Sequence, residues 1–141
     1  PNSAISKPDL EESAHVFETL MKEKKPYLNK KLTLNQLSEQ AAISPNKLSQ
    51  LFSIHYQSSF YEFVNDYRLN HLELLLENPK TNKYTISALA EMSGFNSKAT
   101  FYKVFKAKHS VSPSQYLKDN AGDKYGKGDF NDLEPIKPEN G

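Results

Sequence analysis

At 141 residues, 37% of them hydrophobic and 25% charged, the chain suits one ordinary soluble domain whose core is shared by most of its elements. It has no Cys, which excludes disulfides and thiolate metal sites and suits a reducing compartment. No apolar run reaches the roughly 18 residues of a membrane span, and no secretory leader pattern opens the sequence. The net charge of +1 conceals a pattern. Residues 30–118 carry 11 Lys or Arg against 6 Asp or Glu, residues 1–29 have 4 against 5, and residues 119–141 have 3 against 6. A basic middle between acidic ends suits a surface that faces a polyanion, and an unevenly charged solvated surface reads the same way. A start at Pro1 in place of Met reads as a piece of something longer.

Apolar positions recur at helical spacing throughout and no stretch alternates as a strand would, so the expected fold is all-α with about seven helices. In chain order these fall at Asp9–Lys24, Leu34–Ala42, Pro45–His55, Phe60–Asn78, Ile86–Ser93, Ser97–Lys108 and Pro113–Asp119. The first carries Leu10, Ala14, Phe17 and Met21 on one side. That stripe is too short for a stable coiled coil and is expected to dock on the next elements. Three starts fit the reciprocal capping box, Thr33 with Gln36, Ser59 with Glu62 and Ser112 with Gln115. Pro45 and Pro113 fit the first helical position, where a missing N–H costs nothing. Residues 1–29 thus form an N-terminal helix and lead-in, and 30–119 the main domain. Residues 120–141, with Gly122, Gly126, Gly128, Pro135 and Pro138 among acids, read as a flexible acidic tail.

The main domain repeats itself. Thr33-Leu-Asn-Gln-Leu-Ser-Glu39 matches Thr85-Ile-Ser-Ala-Leu-Ala-Glu91 at an offset of 52, and Leu48-Ser-Gln-Leu-Phe52 matches Phe101-Tyr-Lys-Val-Phe105 at 53. Ser59-Phe-Tyr-Glu-Phe63 lies opposite Ser112-Pro-Ser-Gln-Tyr116, so each copy is helix, turn, helix and the start of another helix. The turns Ala42-Ile43-Ser44 and Gly94-Phe95-Asn96 each run small residue, large apolar residue, polar N-cap. A tight turn between crossed helices needs that order: the small residue relieves close approach or a positive φ, the apolar one plugs the core, and the cap starts the next helix. Ala42 is a poorer choice than Gly if its φ is positive. The two helix-turn-helix units then cover 33–55 and 85–108, joined by a linker helix at 59–78 and followed by a closing helix at 112–119.

Gly94-Phe95-Asn96-Ser97, Phe101-Tyr102-Lys103-Val104-Phe105-Lys106 and Ser112-Pro113-Ser114-Gln115-Tyr116 resemble the C-terminal signature of the AraC/XylS family of transcription regulators. Leu37, Ile43-Ser44-Pro45, Leu48-Ser49-Gln50-Leu51-Phe52 and Tyr67-Arg68-Leu69 match as well, giving coverage from about Leu28 to Lys118. Leu72 departs from it, standing where the family usually has Ala. The resemblance implies sequence-specific binding of double-stranded promoter or operator DNA, with the second helix of each unit in the major groove. It also implies RNA polymerase as a partner of the full regulator, and a sensory, dimerising or membrane-linked region upstream. This piece itself is expected in the cytoplasm, without membrane contact.

Helical periodicity turns Leu48, Leu51 and Phe52 inward in the first reading helix and Phe101, Val104 and Phe105 inward in the second. Asn46, Lys47, Ser49, Gln50 and Lys98, Ala99, Tyr102, Lys103 are then the candidates for base contact. Ser44, Asn96, Ser97, Thr100, Lys106 and Arg68 are the candidates for phosphate contact. Tyr102 serves equally as a cover for the rim of the core. Lys98, Lys103, Lys106 and Lys108, with no acid among them, make the second helix the more basic. Arg68 is the only arginine and lies outside both reading helices, so bidentate Arg readout of guanine is absent there. The first half-site is accordingly expected to be rich in A·T.

An enzyme finds little support. Ser44-Pro-Asn-Lys47 fits an acyl-transfer S-x-x-K pattern, but an ordinary serine cap explains it and no companion motif is present. His15, His55, His71 and His109 are scattered along the sequence, and no glycine-rich phosphate loop occurs, so neither metal nor cofactor is expected. The rival reading is a helical protein–protein interaction module whose basic face is incidental.

Overall fold

The computed structural model describes residues 6–120, and these divide into two compact units between Val64 and Asn65. The acidic tail falls outside the described residues. Local chemistry starts nearly every helix. Ser6 accepts from the Asp9 amide at 3.3 Å and opens α1 (Lys7–Lys24), two residues earlier than periodicity places it. Lys25, at φ 49°, ends α1 and leads into a 3-10 turn at Pro26–Leu28. The full capping box of Thr33 and Gln36, at 3.0 and 3.1 Å, opens α2 (Leu34–Ala41), and Ser44 caps α3 (Pro45–Gln50). Ser59 and Glu62 form the second box at the start of α4 (Phe60–Glu77). A further 3-10 turn at Pro79–Thr81 precedes α5 (Ile86–Met92), α6 (Lys98–His109) and α7 (Pro113–Asp119). The fold is all-helical, with seven α-helices and no strand among the described residues.

Three expectations need correction. Ser112 caps α7 at 3.2 Å, but the box is only half formed, because the Gln115 amide donates forward to Asp119 at 2.8 Å. In the second turn Ser97, not Asn96, is the N-cap, accepting from the Thr100 amide at 3.0 Å; Asn96 is thus the extra residue of that copy. The helix expected to run unbroken from Pro45 to His55 is α-helical only to Gln50 and continues as a π-helix, Leu51–Tyr56. The four-residue spacing of Leu48, Phe52 and Tyr56 puts an apolar row on one side of either helix type, so periodicity does not separate them.

In the first unit α1 contributes Leu10, Ser13, Ala14, Phe17 and Met21 to the interior. Phe17, fully buried, meets Phe52 edge-on at 5.5 Å and Phe63 at 5.6 Å, and Phe52 meets Phe63 at 5.3 Å. Leu37, Leu48 and Leu51 complete the apolar interior. The Tyr27 phenol is also buried, and loss of hydration pushes its pKa above the usual value.

The second unit has the same plan, extended further upstream than the sequence repeat suggests. Leu69, Leu72, Ile86, Leu89, Phe95, Phe101, Phe105 and Leu117 form its core, with Leu76 and Tyr116 packed against it. Asn65, Arg68, Leu69, Leu72 and Leu76 on α4 stand 55 residues after Leu10, Ser13, Ala14, Phe17 and Met21 on α1, position for position. Each unit is therefore a scaffold helix, a 3-10 turn, a helix-turn-helix pair and a closing turn of helix. Leu72 stands in the place of Phe17 in the repeat and is fully buried in the core of the second unit. Ser93, fully buried, donates its single hydroxyl proton to the Leu89 carbonyl at 2.8 Å. It therefore accepts from His71 Nδ1 at 3.1 Å, which sets the tautomer of that ring.

Both turns close with a bond reaching back five residues, from the Ile43 amide to the Ser38 carbonyl and from the Phe95 amide to the Ala90 carbonyl. Ile43 and Phe95 plug the two cores. This geometry requires a positive φ just before each plug, met by Gly94 at 102° and by Ala42 at 57°. A Cβ in that region costs about 1 kcal/mol, and Gly gives back part of this through its freer unfolded chain. Ala42→Gly is therefore expected to stabilise the first unit by up to about 1 kcal/mol. The denaturation midpoint should rise at unchanged slope; a lower midpoint would contradict the strain argument.

Candidate nucleic-acid interface

The caps and plugs fix which side of each second helix faces outward. On α3, Leu48 is fully buried, so Asn46 and Ser49 emerge exposed while Lys47 and Gln50 are half-buried beside them. Ser44, exposed, accepts from the Lys47 amide at 3.2 Å and keeps its hydroxyl proton for an outside acceptor. On α6, Phe101 and Phe105 are fully buried, and Lys98, Ala99, Lys103 and Lys106 emerge exposed. Thr100 is half-buried, and its hydroxyl oxygen accepts from Ser97 at 3.2 Å. Asn96, exposed, precedes the cap. Each second helix thus has one apolar side inward and a polar outer side near its N-terminal half. The two outer sides differ: Asn, Ser and Gln dominate the first, Lys the second.

Tyr102 takes an intermediate position. Its ring is half-buried, edge-on to Phe101 at 5.6 Å, and Lys98 Nζ lies 5.4 Å from its centroid. The ring body packs on the core, as the reading of a cover for its rim expects. The contact with Lys98 gathers two outer-face candidates at one end of α6.

Two cations sit apart from those outer faces. Arg68 is 7% exposed, inside the second unit, and donates from Nη1 to Asn65 Oδ1 at 3.3 Å. That placement makes it a buried scaffold residue, apart from the phosphate candidates on the turns. Lys108 donates to Glu73 Oε1 at 2.8 Å and to Asn70 at 3.4 Å, while His109 Nε2 meets Glu73 Oε2 at 2.7 Å. The lysine count of α6 therefore overstates the charge on its outer face. In the first unit the Tyr56 hydroxyl donates to Glu18 at 2.5 Å. Sequence reasoning missed Glu18 and Glu73; extending the repeat to α1, where they stand 55 residues apart, would have paired them.

Among the described residues no group of three or more His, Cys, Asp or Glu is placed to hold a metal ion. No helix among them is long and apolar enough to cross a membrane.

Two copies of a capped helix, a plugged turn and a second helix with a polar outer face define a tandem helix-turn-helix protein. A family model described as a helix-turn-helix domain, of the AraC type, matches residues 37–119, and the chain belongs to that family. It is 35% identical over 85 residues to an uncharacterized HTH-type transcriptional regulator of Haemophilus influenzae, covering 60% of this chain and 28% of that protein. Over 87 residues it is 31% identical to the melibiose operon regulatory protein of Escherichia coli, covering 62% of this chain and 28% of that protein. An uncharacterized HTH-type transcriptional regulator of Staphylococcus aureus is 32% identical over 93 residues, 66% of this chain and 12% of that one. The match therefore spans less than a third of the length of each of these curated relatives. A solved structure of a protein of unknown function from Listeria innocua is similar at a TM-score of 0.57 and 27% identity, over 72% of this chain and 93% of that one.

Proposed function

We infer that this chain is the DNA-binding part of a transcription regulator, with α3 and α6 as the helices that enter the major groove. The observation that carries the reading is the outer side of α6. Lys98, Lys103 and Lys106 emerge there with no carboxylate on the helix, opposite a fully buried Phe101 and Phe105. Phosphate neutralisation supplies the non-specific affinity of such a surface, and base contacts from the N-terminal half of each helix supply the sequence preference. Asn46, Lys47, Ser49 and Gln50 would contact bases in the first unit, and Lys98, Ala99, Tyr102 and Lys103 in the second. Ser44, Asn96, Ser97, Thr100 and Lys106 would hold phosphates, their position at helix starts adding backbone N–H groups to the same task. Arg68 acts from inside the scaffold.

Asn and Gln pair in bidentate fashion with adenine, which favours A·T at the half-site read by α3. Contact with RNA polymerase, and an upstream sensory or dimerising region, are part of the same proposal for the full regulator. They are supported by relatives named as transcription regulators that extend well beyond the matched stretch. Regulation by binding DNA, with no catalysed reaction, is the activity proposed.

Binding to random-sequence duplex across a range of salt tests the reading. The logarithm of affinity is expected to fall linearly with the logarithm of salt, losing about 10-fold or more between 50 and 200 mM. Absence of binding at low salt would end the DNA reading and return the protein-interaction module.

A further inference from the structure

The two units carry their positive charge in different places. Residues 22–31 hold Lys22, Lys24, Lys25, Lys30 and Lys31 against Glu23 alone. The cluster straddles the change from acidic lead-in to basic domain at residue 30, so the net charge of either segment conceals it. The matching stretch of the second unit, 77–83, has only Lys80 and Lys83 against Glu77. The reading helices have the opposite bias. Lys47, half-buried, is the one lysine of residues 45–56, whereas Lys98, Lys103 and Lys106 emerge exposed on α6.

Lys22 and Lys24 lie in the last turn of α1, where cations complement the carbonyl end of the helix, and that role accounts for them. Lys25 and Lys31 stand past the helix end, in a turn whose backbone is fixed. The Leu28 amide donates to the Lys25 carbonyl at 3.1 Å, Asn29 to Pro26 at 3.0 Å and Leu32 to Asn29 at 3.2 Å. Asn29 Oδ1 accepts from the Lys31 amide at 2.9 Å. Pro26, Tyr27 and Leu32 anchor the turn as buried side chains. Lys25 and Lys31 are exposed, and neither forms an ion pair among the described residues.

We propose that Lys25 and Lys31 form a phosphate-contact site that holds the DNA backbone at the edge of the groove entered by α3. The inference rests on the DNA-binding reading above. In a helix-turn-helix the first helix crosses the backbone while the second lies in the groove. Lys31 stands two residues before Thr33, the cap of α2. The eight residues of α2 span about 12 Å, close to the width of the major groove. With α3 in the groove, the far end of α2 and the turn before it therefore come to the phosphate wall. A cation there neutralises charge without touching a base. The first unit thus separates two tasks: α3 reads by neutral hydrogen bonds, and the turn supplies the attraction that α3 lacks. The position recurs at Lys83, exposed and two residues before the cap Thr85.

The test uses the full chain and a duplex that the parent selects from a random-sequence pool, with affinity measured from 50 to 200 mM salt. Lys25→Gln with Lys31→Gln is expected to lower the salt slope by about 1.8, two contacts at about 0.9 each. The parent's advantage in affinity should accordingly shrink about 12-fold across that range. Base preference should stay as in the parent. Lys25→Arg with Lys31→Arg keeps both charges and should keep the parent's slope. Lys7→Gln with Lys118→Gln removes two exposed charges elsewhere and should leave the slope unchanged. An unaltered slope in Lys25→Gln with Lys31→Gln would overturn the proposal. So would an equal fall in the Lys7 and Lys118 pair, which marks a general effect of net charge, or a fall in the arginine pair, which marks a distorted turn. A changed base preference would put the two lysines in the groove and overturn it too. A parent that binds no DNA at low salt would overturn the underlying reading, a result distinct from binding with an unaltered slope.

Discussion

Phe101→Ala is expected to destabilise the second unit by about 3–5 kcal/mol, enough to remove most of the stability of a unit this small. The ring is fully buried and meets Phe95 at 5.4 Å and Phe105 at 5.8 Å, so it joins the turn plug, the second helix and the core below. Truncation leaves a cavity among side chains that are themselves fixed by Leu72 and Leu89, with little freedom to collapse into it. Hydrogen exchange should show the amides of α5, α6 and α7 losing protection. The thermal midpoint of that unit should fall by more than about 10 °C. A cost below about 1 kcal/mol would mean that the site relaxes and that the plugged turn does not depend on this ring.

Replacing Lys98, Lys103 and Lys106 together by Gln is expected to reduce the salt slope of DNA binding by about one, through the phosphate contact of Lys106, and to relax base choice at the half-site read by α6 through Lys98 and Lys103. Each phosphate contact contributes about 0.9 to that slope. Affinity near physiological salt should fall by about two orders of magnitude, since one phosphate contact and two base-reading side chains are lost at once. All three lysines are exposed and none belongs to the core, so the melting temperature should hardly move. The matching change on α3, Asn46→Ala with Gln50→Ala, should leave the slope nearly unchanged and relax the choice of base instead. If both sets alter the slope equally, the two units are equivalent and the inequality between a neutral reader and a lysine-rich one is lost. If the lysine set leaves the slope as it was, α6 is not at the phosphates.

The readings that transferred from sequence to structure were local ones. A serine or threonine named as a cap found its amide three residues on at Thr33, Ser44, Ser59 and Ser112. The small-then-apolar pattern of the turns predicted a buried plug at Ile43 and Phe95, and of the two roles open to the small residue the structure shows a positive φ at both Ala42 and Gly94. Exposure of Asn46, Ser49, Lys103 and Lys106 followed from helical spacing alone. The misreadings were of two kinds. At Asn96 the neighbouring Ser97 is the cap, and at Gln115 the side chain donates to Asp119; composition does not rank such adjacent polar choices. At Arg68, Lys108 and the π-helical turn the outcome depended on residues far away in the chain.

Sequence by itself determined the all-helical fold, the tandem helix-turn-helix plan and the outer faces of α3 and α6, because these depend on interactions spanning a few residues. Only the tertiary structure decided which cations remain on those faces. Lys108 is held by a glutamate 35 residues earlier, and Arg68 is enclosed in the core region of its own unit. A charge counted along a helix says nothing of the carboxylate that packing brings beside it. The same packing made α1 the counterpart of α4 and placed Glu18 and Glu73 under the ends of the two reading helices, where one is met by a phenol and the other by an imidazole.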